Sequence, residues 1–149
     1  MARLPSRTTA SPTPASSIAA CVDANVLISA LAFGGKPLRV VDRLLAGDFI
    51  SITGENILSE VRRNAISKLK LPSAKVHRFL EDVRDASSVY VPTGATEYIR
   101  HKKDNLVLEV AFMGGVEVLV TGDAKHLIPI SPFRGLYHRA TFGIPHPTR

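Results

Sequence analysis

The sequence predicts a three-layer α/β/α sandwich built on a central parallel sheet of four or five strands. Three observations carry this. Short apolar runs rich in β-branched residues alternate with longer stretches of helical periodicity along most of the chain. Glycine or proline marks many of the boundaries between them. The 149 residues, 45% apolar and 21% charged, suit one domain that buries about two-thirds of its unfolded surface.

The elements follow in order. "IAACV" (18–22) reads as a short buried strand that ends at Asp23. "NVLISALAF" (25–33) repeats apolar residues at 26, 27, 30, 31 and 33, a helical spacing stopped by Gly34-Gly35. Pro37 suits the first turn of a second helix, which Gly47 ends. "FISIT" (49–53) is the next strand. "NILSEVRRNAISKLKL" (56–71) is a helix with apolar positions 57, 58, 61, 66 and 69, closed by Pro72. Ser73 is placed to cap the helix "AKVHRFLEDVRDA" (74–86). "SSVYV" (87–91) is a strand broken by Pro92. "DNLVLEVAFMGG" (104–115) is a helix with Asp104 in its first turn and Gly114-Gly115 at its end. "VEVLV" (116–120) is the strand that follows.

Composition sets bounds on function. A lone cysteine, Cys21, excludes an internal disulfide and fits a reducing, cytoplasmic setting. No apolar run reaches the roughly 18 residues that cross a membrane. The net charge of +6 permits a polyanionic partner, but its placement matters. All thirteen acids lie between Asp23 and Asp123, and fourteen of the cations lie in the same region up to Lys125, so the body is close to neutral and the flanks are basic. The expected organisation is a disordered extension over 1–17, one domain over 18–142 and a flexible tail over 143–149.

In a parallel sheet with right-handed crossovers, all strand C-terminal ends share one edge, and ligands bind there. Asp23 and Asp123 belong to that edge by topology. Asp104 opens the helix leading to the Asp123 strand, and Glu60 stands one to two turns into the helix after "FISIT". Unit charges about 4 Å apart repel by roughly 4 kcal/mol at an effective dielectric near 20. Such carboxylates either protonate or share a divalent cation. All-oxygen ligands without a Cys or His pattern suit Mg²⁺ or Mn²⁺, and the matching chemistry is metal-assisted phosphodiester hydrolysis. Taken singly, Asp23 and Asp123 read equally well as helix caps, Asp104 as a helix-terminal charge, and Glu60 as part of a solvated face beside Arg62 and Arg63.

Three segments resemble PIN-domain proteins. "VDANVLISALAFGGKP" is similar to their opening, "LSEVRR" to their helix with a metal-binding Glu, and "KKDNLVLEVAFMGGVEVLVTGDAKHLIPI" to their closing segment, over about residues 20–130. Within that family the chain resembles the VapC-type toxins of bacterial toxin–antitoxin pairs. The resemblance implies a PIN-like fold and a ribonuclease using Mg²⁺ or Mn²⁺, with Asp23, Glu60, Asp104 and Asp123 as acidic ligands. It implies that Asn25 orders the first strand–helix turn, that Thr121 holds a carboxylate or a metal-bound water, and that Gly122 lets backbone approach the site. It further implies an RNA substrate, an antitoxin protein and a homodimer. Lys102 and Lys103, flanking Asp104, are candidates to grip the RNA backbone.

The chain departs from that pattern in places. Family members often carry an extra acid just before the position of Asp104, where this chain has His101, Lys102 and Lys103. They often carry another shortly after Thr-Gly-Asp, where this chain has Ala124, Lys125 and His126. The ending "RATFGIPHPTR" does not form a normal last helix. These departures motivate an alternative: a catalytically degenerate PIN module that binds RNA or a protein partner. A haloacid-dehalogenase-type phosphohydrolase fits less well, because Asn25 stands where its second Asp is needed.

Overall fold

The computed structural model describes residues 18–95 and 102–121, without the side chains of 102–104. Four strands, β1 (Ala19–Val22), β2 (Ile50–Gly54), β3 (Ser87–Tyr90) and β4 (Val118–Val120), form one parallel sheet in the order β3-β2-β1-β4. Helices α1 (Ala24–Phe33) and α2 (Gly35–Leu45) connect β1 to β2. Helices α3 (Glu55–Arg63) and α4 (Ser73–Asp85) connect β2 to β3, and α5 (Lys102–Met113) precedes β4. The chain steps from β1 to β2 to β3 and then returns past β1 to place β4. Right-handed crossovers therefore put α1 to α4 on one face of the sheet and α5 on the other. This is the three-layer sandwich that the alternation predicts.

Each helix buries one stripe. The buried positions are Val26, Leu27 and Ala30 on α1, Val40, Val41 and Leu44 on α2, Ile57, Leu58 and Val61 on α3, and Val76, Leu80 and Val83 on α4. They recur at helical spacing and meet a sheet of buried Ala20, Cys21, Val22, Ile52, Val118, Leu119 and Val120. α5 lies close against β2. A side chain at Gly54 would strike Val110, and one at Gly114 would strike Ile52, so both glycines serve close approach.

The helix ends follow from local chemistry. α5 closes with Val116 N–H donating to Ala111 O and Gly115 N–H to Phe112 O, with Gly115 at φ 65°. α2 closes the same way, through Asp48 N–H to Arg43 O and Gly47 N–H to Leu44 O, with Gly47 at φ 78°. Both are glycine-closed ends that satisfy otherwise orphaned carbonyls. Glycines at φ 73° and 69° (Gly34 and Gly35) turn the chain through 109° between α1 and α2.

Four sequence expectations need correction. The helix expected over 56–71 is α3 followed by a π-turn, Asn64–Lys68, which ends at Leu69. Ser73 is not a cap; it is the first residue of α4, whose N-cap is Pro72 and which has no side-chain cap hydrogen bond. Phe33 and Leu69 fit the apolar periodicity but are 77% and 37% exposed. The last strand begins at Val118 rather than Val116, because Val116 is spent on closing α5.

Two charged contacts fix surface elements. Arg84 donates to Glu55 through Nη1 (2.6 Å) and Nη2 (3.1 Å), joining the start of α3 to the end of α4. The Arg84 guanidinium holds the Glu55 carboxyl below its usual range. The pair is exposed, so its contribution is about 0–1 kcal/mol. Glu109, buried in the middle of α5, accepts from Thr93 N–H (2.8 Å), Thr93 Oγ1 (2.9 Å) and Gly94 N–H (2.9 Å). These donors lower its carboxyl below the usual range and pin the loop after β3 to α5.

Three outcomes follow for stability. A depressed carboxylate contributes stability above its unfolded pKa, lost as pH falls through the folded one. Urea unfolding of Glu109→Gln should therefore show a deficit at pH 7 that shrinks toward pH 3; a deficit unchanged with pH would sink this assignment. Gly114→Ala should cost about 1–3 kcal/mol in the same assay, because Ile52 must move. Lys70, a non-glycine residue at φ 57°, should give a gain of up to about 1 kcal/mol when changed to Gly.

Candidate active site

The strand order reverses between β1 and β4, since β2 lies on one side of β1 and β4 on the other. At such a point the loops leaving neighbouring strands diverge and open a crevice at the C-terminal edge of the sheet. Asp23 follows β1 and Thr121 follows β4, so these two residues stand at that reversal.

Asp23 is 6% exposed and Thr121 is fully buried. Thr121 Oγ1 donates to Asp23 Oδ2 at 2.9 Å, and Ala24 N–H donates to Asp23 Oδ1 at 2.7 Å. The Asp23 backbone N–H donates to Val120 O at 2.9 Å. The residue is therefore the N-cap of α1 and, at the same time, a carboxylate fixed at the sheet edge. A carboxylate this buried requires such donors, because an unpaired one carries a large desolvation cost. A carboxylate oxygen can accept more than one hydrogen bond.

The other predicted residues are distributed as follows. Glu60 is half-buried on the second turn of α3, the helix that leaves the C-terminal end of β2. Asn25 is exposed on the first turn of α1, and the hydrogen bond closing that turn comes from Asp23. Asp104 lies in the first turn of α5, with Lys102 and Lys103 before it, but the side chains of all three lie outside the described residues. Gly122 and Asp123 also lie outside them, as do the extension over 1–17, the tail and the ending that departs from the family pattern. Among the described residues, no three His, Cys, Asp or Glu side chains converge as a metal site. The structure thus brings together Asp23 and Thr121.

Two further polar groups border the edge. Thr53 Oγ1, near the end of β2, and Asn56 Oδ1, in the first turn of α3, are buried and have no hydrogen-bond partner among the described residues. Sequence reasoning did not single them out, and no pattern in the chain marks them. Glu109 was missed as well, although it carried a signal: an acid inside "LVLEVAF" sits on a buried helix and must find donors. Cys21, beside Asp23, is fully buried. Burial, and secondarily the Asp23 charge, push its thiol far above the usual range, so it supplies no thiolate.

Comparisons with known proteins agree with this geometry. A search of curated proteins finds no match. Among solved structures, the chain is similar to one in the crystal structure of VapBC2 from Rickettsia felis bound to a DNA fragment from their promoter. The TM-score is 0.59 at 16% identity, covering 80% of this chain and 97% of that one. At that identity the likeness concerns the fold. The family model described as the PIN domain matches residues 19–125, from the first residue of β1 to just beyond the Thr-Gly-Asp segment. The chain belongs to the PIN domain family.

Proposed function

We propose that the chain is an endoribonuclease that hydrolyses RNA phosphodiesters with a divalent metal ion, and that it is the toxin of a cytoplasmic toxin–antitoxin pair. One observation carries the reading: a buried carboxylate, Asp23, is clamped by Thr121 at the strand reversal of a parallel sheet. Membership of the PIN domain family supports nuclease chemistry. The shared fold with a chain of a VapBC complex supports an antitoxin protein as partner.

The donors at this edge fit a hard cation. Asp23 offers carboxylate oxygens, Thr53 and Asn56 add unpartnered buried oxygens nearby, and the neighbouring thiol is held protonated. Asp23, Glu60, Asp104 and Asp123 would hold Mg²⁺ or Mn²⁺. When bound, the ion neutralises charge on the attacking and leaving oxygens of the phosphodiester. The Thr121 hydroxyl fixes the rotamer of Asp23, and Gly122 keeps the role that the family resemblance gives it, as part of this proposal. Lys102 and Lys103 take the RNA backbone, and the protein works as a homodimer.

The test is cleavage of end-labelled single-stranded RNA by purified protein, with Mn²⁺ and Mg²⁺ titrated. The wild type should give metal-dependent products, and Asp104→Asn and Asp23→Asn should give none. Asparagine is itself a good N-cap, so Asp23→Asn leaves α1 intact. Thr121→Val should slow cleavage by about 10–100-fold, as for other groups that orient a ligand, and Thr121→Ser should restore most of it. Equal cleavage by the wild type and Asp23→Asn, or none by the wild type with either metal across several RNAs, would overturn the proposal. The second result would leave the non-cleaving binding module.

A further inference from the structure

One segment of the body is strongly basic and holds no acid. The chain carries nineteen Lys and Arg against thirteen Asp and Glu. Six of those cations, Arg62, Arg63, Lys68, Lys70, Lys75 and Arg78, fall within residues 61–80, which contain no acid. Residues 23–125 as a whole hold fourteen cations and thirteen acids, so these six are offset only by acids placed elsewhere in the body.

The fold gathers them at one end of a helical hairpin. Arg84 on α4 pairs with Glu55 on α3, and Arg62 and His77 line the same groove between the two helices, so α3 and α4 run antiparallel. The Glu55–Arg84 end also carries Glu81, Asp82 and Asp85. The other end consists of the last turn of α3, the π-turn, the loop 69–72 and the first turns of α4, and it holds all six cations. All six are exposed, and none makes a salt bridge among the described residues. A solvated helix face in this chain looks different: α2 interleaves Arg39, Asp42 and Arg43, and Arg43 pairs with Asp48.

Two of these positions run against local preference. Lys70 occupies left-handed backbone, where glycine is the unstrained choice. Lys75 stands in the first turn of α4, where the helix presents the positive end of its dipole and where no acid and no side-chain cap offset it. The free amides of that turn add to the positive field at the tip. The π-turn between the helices is a feature frequent at functional sites.

We infer that the tip of the α3–α4 hairpin is a docking arm for the phosphate backbone of single-stranded RNA. The inference rests on the ribonuclease reading for its choice of ligand. α3 has nine residues, so its far end lies roughly 14 Å along the helix axis from the sheet edge. The arm therefore engages nucleotides flanking the cleaved bond and holds the strand through its backbone without reading its bases.

The experiment is fluorescence anisotropy of a labelled RNA strand of about 20 nucleotides, with the full chain in EDTA over a series of salt concentrations. The variant Lys68→Gln, Lys70→Gln, Lys75→Gln, Arg78→Gln should bind about 10-fold or more weakly, and its salt slope should fall by up to about 3, near 0.7 per phosphate contact. The pair Lys75→Gln, Arg78→Gln, which leaves the strained loop untouched, should give about half that change in slope. Lys68→Arg with Lys70→Arg and Lys75→Arg should bind as the wild type does. Lys36→Gln with Arg39→Gln on α2 should change neither affinity nor slope. An unchanged slope in both neutralised variants, equal loss in the α2 control, no binding by the wild type, or loss confined to duplex DNA of the same length would each overturn the arm. Binding is read without metal, so the two proposals fail separately. A wild type that binds through the hairpin but cuts nothing removes the nuclease reading alone. One that cuts but binds independently of the hairpin removes the arm alone.

Discussion

The tie of Asp23 to β4, α1 and Thr121 is the constraint on which the rest of this molecule depends. β1 lies between β2 and β4 in the sheet, and Asp23 is the residue where β1 ends. Its backbone N–H bonds β4 at Val120, one carboxylate oxygen bonds the first amide of α1, and the other bonds the hydroxyl of Thr121. Strand, helix and neighbouring strand are thereby registered against a single side chain. A buried carboxylate is costly without donors, so α1 must start at Ala24 and β4 must deliver Thr121 to this height in the sheet.

Much of this frame was legible in the sequence, because it is set by local chemistry. Period-3.6 stripes over α2, α3 and α4 and the glycines after α2 and α5 place those elements to within a few residues. The strand-end position of Asp23 follows from the run that precedes it. Illegible features depended on distant partners. Thr121 and Asp23 are 98 residues apart; the resemblance gave Thr121 a carboxylate or a water to hold, and the return of the chain past β1 makes that carboxylate Asp23. Glu109 finds its donors in the loop at Thr93 and Gly94, which a reading of α5 alone does not bring beside it.

The errors have a common cause as well. Leu69 was placed in the core by extending the α3 periodicity beyond its end. The five-residue π-turn inserts a wider step, changes the phase of the stripe and leaves Ala65 buried and Leu69 at the surface. Phe33 was misplaced in the same manner, at the point where Gly34 and Gly35 redirect the chain. Ser73 carried a capping side chain, but the proline before it already supplies extended backbone at the N-cap position, and the helix begins one residue early. In each case a local preference was sound and the neighbouring geometry overrode it.

Charge in this protein is segregated along the hairpin beside the sheet. Glu55 opens α3 and Arg84 closes α4, each at the helix end its sign favours, and they neutralise each other across the gap. The opposite end of the hairpin has six cations with no such partner. If the carboxylate edge holds a metal ion, as proposed, it gains from keeping the densest run of cations at a distance, since they would pair with the acids and compete with the ion. Distance solves the conflict. α3 begins at the acidic edge and ends at the basic tip, so one rigid helix fixes the separation between the place where phosphate chemistry is proposed and the place where phosphate charge is attracted. The near-neutral balance of residues 23–125 hides this arrangement, because a net count sums over two regions that the fold keeps apart.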